Sequence, residues 1–210
     1  MIRVLIADDH ELVRRGVRGL LKDDFPGIVF GEALDAKQTL AAVEKKPWDL
    51  VLLDINMPGR NGLDVLQDLR RLYPELPVII LSAFPEKDYA MRAFKLGAAG
   101  YVSKESASGE LLAAARKALA GGRYVTPALA EALAATVAGE NPVAPHDLLS
   151  NRELQVLRLV ALGKSLKAIA AELSLSEKTV GTYRTRISQK MNLSSNVELA
   201  RYATLHKLVE

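Results

Sequence analysis

No cysteine occurs among the 210 residues. That absence excludes a disulfide framework, a thiolate zinc site and a cysteine nucleophile, and it suits a reducing compartment such as the cytoplasm. Long apolar runs are absent too. The first apolar stretch, 2–7, meets Asp8 and Asp9 at once, which is too short for the core of a secretory signal. Nothing approaches the roughly 18 apolar residues of a membrane span. Neither charge dominates: 28 Lys and Arg face 25 Asp and Glu, a net charge of +3. Apolar residues make up 49% and charged residues 25%, a mix that folds rather than staying disordered. The length leaves room for one or two domains of roughly 100–200 residues each.

The small net charge is an average over unlike parts. Residues 1–125 carry 18 basic and 17 acidic side chains, residues 126–147 carry only Glu131, Glu140 and Asp147, and residues 148–210 carry 10 basic and 5 acidic. A basic segment behind a neutral one points to a polyanion as partner for the C-terminal end.

In the first half, short apolar runs at 3–7, 28–33, 50–53, 77–81 and 99–102 have the length and Val/Ile/Leu content of strands buried on both faces. Helical periodicity fills the gaps at 11–21, 36–46, 63–72, 86–96 and 109–120. Repeated β–α units of this kind predict a parallel sheet with right-handed crossovers and helices on both faces. Ligands of such sheets sit beyond the carboxyl ends of the strands. Asp8, Asp9, Asp54, Ser82 and Lys104 all stand at those ends. Clustered carboxylates repel one another unless a cation joins them. Three Asp and one Lys sum to −2, which calls for a hard divalent cation with oxygen ligands, Mg²⁺ above all. His10 reads as a helix-entry residue rather than a ligand, because hard cations prefer oxygen. Trp48 is expected to cover the edge of the sheet.

The set Asp8-Asp9, Asp54-Ile55-Asn56-Met57-Pro58-Gly59, Ser82-Ala83 and Gly100-Tyr101-Val102-Ser103-Lys104 resembles the receiver domain of bacterial two-component response regulators, over residues 1–122. The resemblance implies a flavodoxin-like α/β fold, doubly wound, with five parallel strands in the order 2-1-3-4-5. It implies that Asp54 accepts a phosphoryl group from a sensor histidine kinase. By carry-over, Asp9, Asp54 and the backbone carbonyl of Asn56 ligate Mg²⁺, and Asp8 acts through a water. Lys104 and Ser82 would stabilise the phosphoryl oxygens. Ser82 would move toward the group and Tyr101 would turn inward behind it, exposing a face for a second copy: helix 4, strand 5 and helix 5, or helices 1 and 5.

Residues 123–147 read as a helix and a linker. Thr126-Pro127 starts the helix, and Gly139, Asn141, Pro142 and Pro145 break it. The last 63 residues, 148–210, read as a small all-α domain of four helices. Ser150-Asn151-Arg152-Glu153 and Ser195-Asn196-Val197-Glu198 are capping boxes, and the last helix is expected to reach about Leu208. Two helices meet across the turn Ser174-Leu175-Ser176, the pattern of a helix-turn-helix. Leu149–Glu153, Ile169-Ala170-Ala171-Glu172-Leu173 and Ser176-Glu177-Lys178-Thr179-Val180 resemble the LuxR-type DNA-binding domain. With the receiver they are similar to the NarL/FixJ type of response regulator.

On the third of these helices Val180, Tyr183, Ile187 and Met191 share the core side at 100° per residue. Lys178, Thr179, Thr182, Thr185, Arg186 and Gln189 are expected to face DNA, with Arg184 and Lys190 at the borders reaching phosphates. Gly181 stands where the family usually has Lys, which leaves base preference there open. The expected partners are promoter half-sites, the kinase and a second copy of the chain, with no membrane. No enzyme activity is expected beyond self-phosphorylation and self-dephosphorylation at Asp54. The alternatives are a regulator indifferent to phosphorylation and an aspartyl-phosphate phosphatase. The latter needs a general acid where Asn56 stands.

Overall fold

The apolar runs become strands in a computed structural model that describes residues 1–84, 86–105, 108–138 and 144–209. They are β1 (Arg3–Ala7), β2 (Val29–Ala33), β3 (Leu50–Asp54), β4 (Val78–Ser82) and β5 (Gly100–Ser103). All pair in parallel, in the order β2-β1-β3-β4-β5. The helices between them are α1 (Glu11–Asp24), α2 (Ala36–Lys45), α3 (Gly62–Leu72), α4 (Glu86–Lys95) and α5 (Ser108–Leu119). Val17 and Leu21 of α1 join Leu111, Ala114, Ala115 and Ala118 of α5 over Val4, Ile6, Leu50 and Leu52 of the sheet. Each fully buried Val, Leu or Ile side chain contributes about 1.5–3 kcal/mol relative to exposure.

The expectation of strands buried on both faces holds for β3 and β4 but not for β2, where Val29 is 36% exposed. As the outermost strand, β2 has neighbours on one side only. Trp48 covers it where expected. Its indole donates to Ala42 O at 2.9 Å, and its ring lies so close to Gly31 that an added Cβ would sit 2.1 Å from it.

The chain forms two compact units, Met1–Ala138 and Gly139–Glu210. The first runs past the sequence-based boundary at 122. Tyr124 N–H donates to Ala99 O beside β5, and Thr126 binds Glu86 and caps α6 (Pro127–Val137) through Leu129 N–H. Helix α6 packs on α4. Of the expected linker breakers, Gly139, Asn141 and Pro142 lie outside the described residues, whereas Pro145 opens a 3₁₀ turn (Pro145–Leu148).

The second unit holds α7 (Asn151–Ala161), α8 (Leu166–Glu172), α9 (Glu177–Met191) and α10 (Asn196–Leu205). Ser150 and Ser195 form their capping boxes with Glu153 and Glu198. Helix α10 stops at Leu205, short of Leu208. Lys207 turns left-handed, with φ 53°, and folds Leu208 and Val209 back until they are 5% and 9% exposed.

Candidate functional site

Four parallel strands ending on one edge bring the predicted acidic residues together. Asp8 follows β1, and Asp54 and Ser82 close β3 and β4. They are 1%, 2% and 0% exposed. Lys104 follows β5, its amide bonded to Ser82 O. Its ammonium lies 2.7 Å from Asp8 Oδ2 and 2.9 Å from Asp54 Oδ2. Both oxygens are buried, and the one ammonium serves the two of them. Burial pushes the Asp54 carboxyl above its ordinary value, Lys104 pulls against that shift, and Asp8 adds to it. Burial works against the Lys104 ammonium, but Asp54 and Asp8 outweigh it and hold the amine charged. A backbone hydrogen bond from Asn56 reaches the Asp54 carboxylate.

His10 takes the N-cap position of α1 as read, but without a capping bond. Its ring does more than the sequence suggested, since Nδ1 lies 3.2 Å from Asp8 Oδ1 and 2.9 Å from Asp9 Oδ1. One ligand atom each from Asp8, Asp9, His10 and Asp54 fits within 4.8 Å. Carboxylate oxygens gathered from Asp8, Asp9 and Asp54, in a corner carrying more negative than positive charge, fit a hard divalent cation.

Ser82 Oγ accepts from Phe84 N–H at 3.0 Å. Tyr101 is 2% exposed and faces inward, and its hydroxyl donates to Phe84 O at 2.8 Å. Phe84 thus links the predicted switch pair, and its ring stacks on Tyr89 at 4.9 Å. Sequence reading missed Phe84 because the bonds use its main chain, which no residue type announces.

In the second unit, α9 buries Val180, Ile187 and Met191. Lys178, Thr182, Thr185, Arg186 and Gln189 are exposed on another side. Thr182 and Thr185 donate back to Lys178 O and Gly181 O, while Thr179 binds Ser176 Oγ at the helix start. The border cations are engaged within the unit. Arg184 donates to Asn196 Oδ1 and Ser194 O, and Lys190 lies 2.6 Å from Glu153 Oε2. Arg152, only 5% exposed, donates to Leu173 O just ahead of the turn into α9. A buried Arg inside a capping box gave no sequence signal of that role.

Comparison with known families assigns each unit. Residues 4–116 match the response regulator receiver domain, and residues 147–203 match bacterial regulatory proteins of the luxR family. The chain belongs to the NarL/FixJ-type response regulators. It is 38% identical over 211 residues to the response regulator GacA of Pseudomonas viridiflava, covering 100% of this chain and 99% of that one. It is 37% identical to UvrY of Escherichia coli K12, over 99% of this chain and 96% of that protein. Among solved structures, RcsB of Salmonella enterica serovar Typhimurium, bound to promoter rprA with the phosphomimetic BeF3−, aligns at TM-score 0.65. That match has 26% identity over 97% of this chain and 99% of that one. This response regulator is therefore a DNA-binding transcription regulator with an N-terminal receiver. Among its described residues no helix is long and apolar enough to cross a membrane.

Proposed function

We propose that Asp54 is the phosphoacceptor of a two-component system and that its phosphorylation governs promoter binding by α9. The observation that carries this is one ammonium, Lys104, shared between two buried carboxylates that close neighbouring strands. Such a corner supplies a nucleophile and a counter-charge and little else, which is what phosphoryl transfer demands. An Asp54 carboxylate oxygen attacks the phosphorus of a kinase phosphohistidine. The P–N bond breaks, and its electron pair stays on the imidazole nitrogen, which takes a proton. Lys104 balances charge on the transferred group, and the Ser82 hydroxyl donates to one of its oxygens.

Mg²⁺, held by Asp9, Asp54 and the Asn56 carbonyl with Asp8 through a water, would neutralise the phosphoryl oxygens. Asn56 offers no general acid, so the chemistry ends at self-phosphorylation and hydrolysis of the acyl phosphate, not turnover of phosphate esters. Ser82, Phe84 and Tyr101 relay the change. Lys178, Thr182, Thr185, Arg186 and Gln189 read DNA, and two copies on a repeated site give specificity. A DNA partner and a sequence free of cysteine support a cytoplasmic location. Residues 1–122 act as the receiver, 148–210 as the reader, and the segment between them as helix and linker.

Incubation with Mg²⁺ and a small phosphoryl donor, followed by intact mass, should show one added phosphoryl group that Asp54→Asn abolishes. Addition that persists in that variant places the acceptor elsewhere. DNA affinity should fall with salt. It should rise on phosphorylation, and an Asp54→Ala chain with unchanged promoter output would instead support regulation indifferent to phosphate.

A further inference from the structure

Arginine is seldom buried without a task, yet Arg14 on α1 is only 8% exposed. Its Nη1 donates to Asp8 O at 2.9 Å, and its Nε to Glu32 Oε2 at 2.8 Å. The other Glu32 oxygen accepts from Arg18 Nη1, one turn along α1, at 2.8 Å. Hydrogen bonding by Arg14 holds the Glu32 carboxyl below its ordinary value against the effect of burial, so the anchor stays anionic. From the opposite side, Asp8 N–H donates to Ala33 O at 3.0 Å at the end of β2. The main chain of Asp8 is therefore pinned at both its amide and its carbonyl.

That carbonyl belongs to the planar peptide leading into Asp9. Holding its oxygen fixes the direction in which Asp9 leaves β1. Asp9 lies beyond the strand and its carboxylate is 32% exposed, so ladder bonds do not place it. A guanidinium presents several N–H groups in a rigid fork. It can therefore hold a carbonyl and a carboxylate at once.

We propose that Arg14, anchored by Glu32, is a positioning residue that sets the Asp8–Asp9 corner for its divalent cation. The inference rests on reading that corner as a cation site. The competing account is a plain tie between α1 and β2, which would affect stability and nothing else.

The two accounts separate in a calorimetric Mg²⁺ titration of the full chain and its Arg14→Met, Arg14→Lys and Glu32→Gln variants, each also melted thermally. Partners that orient a ligand cost about 10–100-fold in metal affinity when removed, and Arg14→Met should weaken Mg²⁺ binding within that range. Arg14→Lys keeps the charge without the fork and should recover only part. Glu32→Gln, at a more exposed position that safeguards against misfolding, should weaken binding several-fold. Arg14→Met or Glu32→Gln chains that melt lower but bind Mg²⁺ like wild type would overturn the inference alone, as would full recovery in Arg14→Lys. A wild-type chain that takes up no Mg²⁺ would remove the cation site itself, and the inference with it.

Discussion

Replacing Lys190 by Met separates holding the fold from holding DNA. The Lys190 ammonium lies 2.6 Å from Glu153 Oε2 and 3.3 Å from Leu148 O. The Glu153 side chain is only 3% exposed, whereas that of Lys190 is 41% exposed. Stranding a buried hydrogen-bonding group costs about 1–3 kcal/mol. Two features put Lys190→Met in the lower part of that range. Ser150 N–H still donates to the same carboxylate at 2.7 Å, and water already screens the lysine. We expect a loss of about 1–2 kcal/mol. For a unit of this size, spanning Gly139–Glu210, that lowers its melting temperature by roughly 5–15 °C.

The pH dependence has a definite sign. Burial raises the Glu153 carboxyl, but Lys190 and the Ser150 amide together hold it below its ordinary value. Its stabilisation is present above the ordinary carboxylate pKa and fades as pH falls through the depressed one. Loss of Lys190 shrinks that acid-sensitive part. Scanning calorimetry of the full chain reads the second unit's transition, and DNA titrations at several salt concentrations read phosphate contacts. Lys190→Met should keep the salt slope, whereas Lys178→Met should reduce it by about 1. An unchanged transition together with a slope reduced by about 1 would refute the structural role and return Lys190 to the phosphate backbone.

Five further outcomes follow from the geometry. Asp54→Asn should stabilise the cation-free receiver at neutral pH. The raised Asp54 carboxyl lets the folded state gain stability as pH falls toward the ordinary carboxylate value, about 1.4 kcal/mol per pKa unit. Urea midpoints against pH in chelator should show that slope in wild type and not in the variant. Gly181→Ala should stabilise the second unit by about 0.5–1 kcal/mol, because a Cβ there meets nothing within 4 Å. Gly181→Lys should steepen the salt slope of DNA binding by about 1. Gly62→Ala should destabilise the receiver by about 1–3 kcal/mol and slow phosphorylation, because the new Cβ would lie 2.0 Å from Asp54 O. Glu198, pulled down to about 2 by amide and hydroxyl donors from Ser195 and Ser194, should support α10 above its ordinary pKa. That support should fade as pH falls toward 2, which carboxyl NMR titration can follow.

Much of the receiver was legible because its chemistry sits at the ends of recognisable strands. Asp8, Asp54, Ser82 and Lys104 each close a run of apolar residues, and a parallel sheet places such ends on one edge. Helix starts were equally readable where Ser150 and Ser195 advertise their capping boxes. Main-chain acceptors were not readable. Phe84, the carbonyl of Asp8 and the carbonyl of Leu173 bind through groups that every residue carries. The acceptors that Lys190 and Arg184 find within the unit were hidden for a related reason. A cation on a helix border looks solvated until a neighbouring helix supplies its acceptor.

The residue pattern determined the β–α alternation, the helical second unit, the strand-end positions of the acidic residues and the exposed face of α9, because periodicity and strand termini are local properties of the chain. The strand order came only with the family resemblance. Only the tertiary structure decided that Lys104 is shared by two carboxylates, that Arg14 holds both the Asp8 carbonyl and Glu32, and that Lys190 pairs with Glu153. Those pairings join residues distant in sequence, and their strength depends on burial, which no stretch of chain carries by itself.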